Sequence, residues 1–267
     1  MGKPIDVFVL TYCREASLLY GTELIFKTLR KGFPNADVSV CDNASLKETR
    51  SEIASLARRS GCHFSQVTEP GVPHHWFLET FLRARAEHGG PDRPLVFLDP
   101  DVCLWRNCED FEFDGLIAGT LIAAHNFEPQ GCVVMPRLHS SFLWIQSPRK
   151  LMARIGALKK RFFDFEPFRS FTVKLGDVWL RYDTGAGLYA ALPNEVSFFG
   201  ERERSRYDHI FAGSHLDLWR GRFKGRFNAV LERFHEHARK GEIGRLRGMW
   251  REMDRAWKKA FRPPGDD

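Results

Sequence analysis

The sequence predicts an α/β protein: a mixed, mostly parallel sheet flanked by helices, followed by a basic helical extension at the C-terminus. Three observations lead there. Over the first 101 residues, short apolar runs rich in β-favouring residues alternate with segments of helical periodicity, the pattern of parallel strands joined by crossover helices. One of those runs, Pro94-Leu95-Val96-Phe97-Leu98, ends abruptly in Asp99-Pro100-Asp101. The net charge of +6 is also unevenly placed, since Arg220 to Arg262 holds 14 Lys/Arg against 5 Asp/Glu and leaves the rest with 26 basic and 29 acidic residues.

Taken in order, residues 5–11 form an apolar run suited to a first buried strand, and 16–30 carry Leu18, Leu19, Leu24, Ile25 and Leu29 near helical spacing. Pro34-Asn35-Ala36-Asp37 breaks the chain before a second strand at 38–41, which terminates in Asp42-Asn43. A helix over 46–59, a third strand over 63–67 and a helix over 76–88 follow. The run at 95–98 is wholly apolar and bounded by Gly89-Gly90-Pro91-Asp92, so it reads as a buried parallel strand. Beyond Asp101 the pattern loosens. Residues 116–124 are apolar, 132–135, 141–145 and 196–199 read as strands, 151–163 and 186–192 as helices, and 169–178 are ambiguous. The segment from Tyr207 to Ser214 runs into His215.

A boundary is expected near residue 217, with a body over 1–217 and an extension over 218–267. Within 220–261, basic residues alternate with Phe223, Phe227, Leu231, Phe234, Leu246, Trp250, Met253, Trp257 and Phe261 at steps of three, four and seven. That is the pattern of two amphipathic helices, interrupted near Gly241 to Gly244. Such helices either dock on the body with a solvated basic face or lie in an anionic membrane interface. Nucleic acid is disfavoured by the acidic body and the lack of a binding motif.

With 267 residues, 43% of them hydrophobic, the chain can bury a large core. No run approaches the ~20 apolar residues of a membrane-spanning helix, and Met1-Gly2-Lys3-Pro4 leads into a strand with no secretory pattern. The six cysteines are scattered without zinc-binding spacing, mostly beside strand-like segments. A cytoplasmic protein is the expectation, with peripheral membrane contact through the tail as the alternative.

The chemistry concentrates at Asp99 and Asp101. Strands of open α/β sheets deliver functional residues at their carboxyl ends, where ligand crevices form. Two carboxylates there are costly to ionise together without a cation or dense donors. A hard divalent ion that itself carries phosphate is a fitting partner. The plain alternative is a solvated Asp-Pro-Asp turn.

Four blocks in this order resemble the nucleotide-sugar glycosyltransferases of the GT-A fold, over roughly residues 4–217: Thr11-Tyr12-Cys13-Arg14-Glu15 after the first strand, Val40-Cys41-Asp42-Asn43-Ala44-Ser45, Leu98-Asp99-Pro100-Asp101-Val102 as the DxD motif, and Tyr207 to His215. The resemblance implies a GT-A-like fold and transfer of a sugar from a UDP- or GDP-linked donor to a saccharide or lipid-linked acceptor. It also implies Mn²⁺ or Mg²⁺ held by Asp101, with Asp99 at the ribose or a metal-bound water and His209 or His215 as a further ligand, His209 preferred. Thr11, Tyr12, Arg14, Asp42 and Asn43 would contact the nucleotide, and Gly213 and Ser214 the phosphates. Asp42-Asn43-Ala44-Ser45 is equally a helix-capping turn. For an inverting reaction Asp183 is the first candidate base and Asp177 the second; simple helix capping is the alternative for Asp183, and a retaining reaction needs no such base. Arg202, Arg204 and Arg206 are placed to form a basic lid.

Two other classes compete. A haloacid-dehalogenase-type phosphohydrolase also ends a strand in Asp-x-Asp, but normally begins with that strand. A non-enzymatic module associating with membrane or nucleic acid would rest on the tail alone.

Overall fold

A computed structural model describes residues 4–127, 131–161, 166–209, 226–242 and 244–246, with 249 and 252. The expected α/β architecture is present. A seven-stranded sheet has the order β12-β6-β9-β4-β1-β2-β3, comprising β1 (Asp6–Thr11), β2 (Asp37–Asn43), β3 (His63–Val67), β4 (Leu95–Leu98), β6 (Ile117–Ile122), β9 (Arg137–Ile145) and β12 (Val196–Phe198). The pairs of β1 with β2 and β4, of β2 with β3 and of β6 with β12 are parallel, and β9 alone runs against its neighbours.

The alternation of each strand splits the core into two layers. Val7, Val9, Val38, Val40, Val96 and Leu98 point to one face, where they pack with Leu24, Ile25 and Leu29 of α1 (Leu19–Gly32) and Ile53 and Ala57 of α2 (Lys47–Arg59). Phe8, Leu10, Leu95 and Phe97 point to the other, against Phe77, Leu78 and Leu82 of α3 (His74–Glu87) and Leu151 and Ile155 of α4 (Pro148–Arg161). Because both faces are covered, β1 and β4 read as apolar runs without alternation.

Beyond β4 the chain adds two smaller sheets. In one, β5 (Val102–Leu104) pairs antiparallel with β13 (Tyr207–His209), placing His209 opposite Val102. The other has the order β10-β11-β8-β7, with β7 (His125–Phe127), β8 (Cys132–Val134), β10 (Phe171–Leu175) and β11 (Val178–Tyr182). The stretch at 169–178, ambiguous in the sequence, is mostly the first arm and turn of the β10–β11 hairpin. Its turn residue Gly176 has φ +60° while Asp177 does not take positive φ, as in a II′ turn. Two short helices, α5 (Ala186–Ala191) and α6 (Glu201–Arg204), follow.

Of the basic extension, α7 (Arg226–Arg239) is described, and it packs on α1. Tyr20 Oη lies 2.6 Å from His235 Nδ1, both side chains are buried, and Ala238 and Leu246 join the first core layer. The docked arrangement therefore holds for this stretch. No helix among the described residues is long and apolar enough to cross a membrane.

Gly32 closes α1 directly beneath β5. A Cβ there would come within 2.7 Å of Leu104 Cδ1 and 2.8 Å of Leu104 Cβ. Gly32→Ala is expected to lower unfolding stability by about 1–3 kcal/mol through overpacking, despite the better helix propensity of alanine. Urea denaturation of the purified variant checks this; unchanged stability would show that β5 yields freely.

Candidate functional site

The carboxyl ends of β1, β2 and β4 converge on one edge of the large sheet. Since β1 is flanked by β2 on one side and β4 on the other, its end is the switch point at which open α/β sheets form a crevice. Each sequence block that ends a strand arrives there: Thr11 opposite Asp42 in the β1–β2 register, and Asp99 one residue past β4.

Asp99 is fixed at its backbone, where its N–H donates to Ser141 O at 2.9 Å and its carbonyl accepts from Val102 N at 3.3 Å. The second bond closes the Asp-Pro-Asp turn and aims both carboxylates at the crevice. Asp101 Oδ1 lies 3.0 Å from His209 Nε2. Ligand atoms of Asp99, Asp101 and His209 all lie within 4.8 Å of one another. Two carboxylate oxygens and one imidazole nitrogen at this spacing suit Mn²⁺, and Mg²⁺ less well because it favours oxygen. The donors present fit such an ion.

Two more imidazoles line the cluster, and neither was anticipated. His74, the first residue of α3, places Nε2 3.7 Å from Asp99 Oδ1. His139 on β9 sets its ring edge-on to His209 with centroids 5.0 Å apart, and its Nδ1 accepts from Ser141 N at 3.1 Å. Burial and the charge of His209 push His139 down to about 3, so it is neutral. With Nδ1 accepting, the proton is assigned to Nε2. Burial draws the Asp99 carboxyl upward, but its ion pair with His74 foremost, then the charge of His209, holds it below the ordinary range. For His209 burial acts downward, and the charge and hydrogen bond of Asp101 outweigh it and raise the imidazole.

Asp42 is fully buried. Its Oδ1 accepts from Thr11 Oγ1 at 3.0 Å and from Ser45 Oγ, and its Oδ2 accepts from Ser45 N at 3.1 Å, with Arg50 Nε 3.5 Å away. Ser45 Oγ in turn accepts from Cys13 N at 2.8 Å. The knot joins the ends of β1 and β2 to the start of α2 and holds Ala44 at φ +55°, a conformation costing a residue with a Cβ about 1 kcal/mol. Asn43 donates Nδ2 to Val72 O at 3.0 Å. Next to the knot, the exposed Arg14 donates Nε to Tyr12 Oη at 2.9 Å and stacks over that ring.

The two candidate bases lie apart from one another. Asp183 pairs with Arg137 Nη2 at 3.0 Å and accepts from Thr184 N at 3.0 Å and Ser170 Oγ at 3.3 Å. Burial raises its carboxyl, but Arg137 foremost holds it below the ordinary range. Arg137 is two residues from His139 on β9, so this pair borders the imidazole side of the cluster. Asp177 stands at the exposed hairpin tip and is not among the gathered residues. Arg202 and Arg206 both pair with Asp110, and Arg206 also stacks on Phe111, so neither is loose in this arrangement. Gly213, Ser214 and His215 lie outside the described residues.

No family model and no curated protein sequence matches the chain. Among solved structures, overlaps occur with glycosyltransferases of the GT-A type. The bifunctional glycosyltransferase WbbM overlaps at 11% identity and TM-score 0.48, over 74% of this chain and 39% of that one. The galactosyltransferase LgtC, solved with donor and acceptor sugar analogues, overlaps at 13% identity and TM-score 0.40, over 74% of each chain. The mannosyltransferase PcManGT from Pyrobaculum calidifontis, solved with GDP-Man and Mn²⁺, overlaps at 16% identity and TM-score 0.39, over 69% of this chain and 57% of that one. This chain thus spans about two fifths of the length of WbbM.

Two outcomes follow from the local electrostatics. Asp42→Ala strands the buried donors of Thr11, Ser45 and Arg50, and should cost about 3 kcal/mol of stability by urea denaturation; a loss below 1 kcal/mol would mean that water replaces the carboxylate. For Asp183 the sign is that of a depressed carboxyl, whose stabilisation is present above its unfolded pKa and lost as pH falls through the folded value. The stability advantage of the parent over Asp183→Asn is therefore full at neutral pH and shrinks below about pH 4. Denaturation of both proteins across that range measures it, and a constant difference would sink the assignment.

Proposed function

We propose that this chain is a metal-dependent glycosyltransferase, moving a sugar from a UDP- or GDP-linked donor to an acceptor hydroxyl. The single observation that carries the reading is the convergence of Asp99, Asp101 and His209, from two segments 108 residues apart in the case of Asp101 and His209, at the carboxyl end of a parallel sheet. Asp101 and His209 would hold Mn²⁺ or Mg²⁺ directly, and Asp99 would share the ion or meet the ribose. The bound ion supplies electrostatic stabilisation to the diphosphate as it leaves.

The remaining work falls to the protein. Asp42, with the buried Thr11 and the rest of its knot, holds the β1 and β2 ends rigid, so that Tyr12, Arg14 and Asn43 present a preformed surface to the base and ribose. Neutral His139 offers an N–H beside the carboxylates without adding a second positive charge. Of the two acceptor-side carboxylates, Asp183 is the better placed, since Arg137 links it to the strand that carries His139. Its lowered pKa makes it a weak base, which favours holding the acceptor over taking its proton. The acceptor is a saccharide or a lipid-linked sugar in this reading.

The phosphohydrolase alternative is less well served. It calls for a further carboxylate beside the Asp-x-Asp pair, and among the described residues the third group of the cluster is an imidazole.

Thermal unfolding in the presence of UDP, GDP, CDP and dTDP, each with and without Mn²⁺, tests the reading. One nucleotide should raise the melting temperature only when Mn²⁺ is present. Asp101→Ala should abolish that shift and turnover while the protein stays folded, and His209→Ala should weaken Mn²⁺ binding about 10–100-fold. If Asp101→Ala responds to nucleotide and Mn²⁺ as the parent does, the reading fails.

A further inference from the structure

Strand β9 changes step where it passes the crevice. Against β6 it pairs Leu143 with Gly119 and then Leu138 with Leu121, so the four residues 139–142 stand opposite Thr120 alone. Bulges re-aim side chains and release backbone groups from the ladder. Both happen here. The peptide groups of Ser141 turn to other partners: its N–H donates to His139 Nδ1 at 3.1 Å, and its carbonyl accepts from Asp99 N at 2.9 Å. One residue thus ties the His139 ring to the turn that carries Asp99 and Asp101.

The first of these bonds decides what His139 can do. An imidazole nitrogen that accepts from an N–H bears no proton, so the ring is neutral and its proton is assigned to Nε2. A nitrogen that bears a proton has no lone pair for a metal ion. His139 is accordingly absent from the grouping of Asp99, Asp101 and His209. Its Nε2 is a donor. Among the described residues it has no hydrogen-bond partner, and it is not an enclosed atom, so it opens on the crevice.

The surroundings limit what this donor can meet. The ring stands edge-on to His209 with centroids 5.0 Å apart, and two residues back along the strand Arg137 pairs with Asp183 at 3.0 Å. His139 therefore lies between the candidate ion ligands and the acceptor-side carboxylate. A nucleotide sugar held through its diphosphate on the ion presents oxygens to this interval.

We propose that His139 is a substrate-binding residue, whose Nε2–H donates to an oxygen of the bound nucleotide sugar, on the diphosphate or on the sugar that it carries. This contact rests on the metal-dependent transferase reading and adds to it a donor that leaves the ion alone. Neutrality is the useful property. A lysine in the same place could bind the same oxygen, but its charge would oppose the ion beside it.

Two variants separate this role from a structural one. His139→Asn keeps a carbonyl oxygen near the place of Nδ1, able to accept from Ser141 N, and loses the donor at Nε2. His139→Gln does the reverse, since its amide reaches the place of Nε2 and leaves that of Nδ1 unfilled. Electron paramagnetic resonance reads Mn²⁺ binding without nucleotide. Calorimetry at saturating Mn²⁺ reads the binding of UDP, GDP, UDP-GlcNAc and GDP-mannose. His139→Asn should hold Mn²⁺ within about twofold of the parent and bind the nucleotide or nucleotide sugar ~3–10-fold more weakly, and His139→Gln should recover most of that loss. A loss already present with UDP or GDP assigns the oxygen to the diphosphate, and one confined to the sugar nucleotides assigns it to the sugar. His139→Asn that binds every nucleotide as the parent does overturns the proposal, as does His139→Gln that binds them more weakly than His139→Asn. A loss of Mn²⁺ affinity of about tenfold or more in His139→Asn without nucleotide makes His139 an ion ligand and overturns it equally. A parent that binds none of the four overturns the transferase reading itself, and this contact falls with it.

Discussion

The crevice depends on one buried carboxylate. Asp42 is 0% exposed, yet it has a donor on each oxygen and a guanidinium at its edge. A buried charge is tolerable only when its lone pairs are filled. Filling them here forces the end of β1, the end of β2 and the first turn of α2 into one rigid unit. The left-handed Ala44 is part of that unit: its strain is small beside the cost of stranding the carboxylate. The β1–β2 side of the crevice is built on this fixed corner.

Across the crevice the electrostatics are arranged differently. Asp99 and Asp101 face one another with little buried hydrogen bonding, and three imidazoles stand close by. Their positions divide the labour. His209 is raised by Asp101, His139 is driven neutral by burial and by His209, and His74 leans on Asp99 from the start of α3. Neutral His139 adds no compensating charge, so the two carboxylates rely on His209 at 3.0 Å from Asp101 and on His74 at 3.7 Å from Asp99.

Much of this was legible in the sequence. The strands at Asp6–Thr11 and Leu95–Leu98 declare themselves by apolar runs, and the carboxylates at the ends of β2 and β4, Asp42 and Asp99, need no three-dimensional information to be noticed. His209 was found through its place in the order of blocks. His139 and Arg137 were not, because their relevance comes from register: β9 lies beside β4 and runs against it, and no local pattern states which strand pairs with which. The hairpin at Phe171–Tyr182 escaped for a different reason. Its second face carries Thr172, Lys174, Trp179 and Arg181, so one strand alternates polar and apolar while the other does not, and neither period dominates. The segment at Asp42 was read both as a helix-capping turn and as a nucleotide contact; the turn is present, with Ser45 N–H donating to Asp42 Oδ2, whereas the N-cap of α2 is Leu46, which makes no side-chain cap.

The reversed direction of β9 has a further consequence. Its neighbours bring their ends to the crevice, whereas β9 brings its beginning, so the residues immediately before it belong to the second sheet. Val134 closes β8, Met135 donates its N–H to Arg181 O at 2.9 Å, and Arg137 opens β9. Pro136, with no N–H to give either ladder, is the seam between them. Change in the hairpin on one side of that seam leaves the Asp99–Asp101–His209 cluster on the other side unaltered, so one sheet is free to vary while its neighbour keeps its geometry.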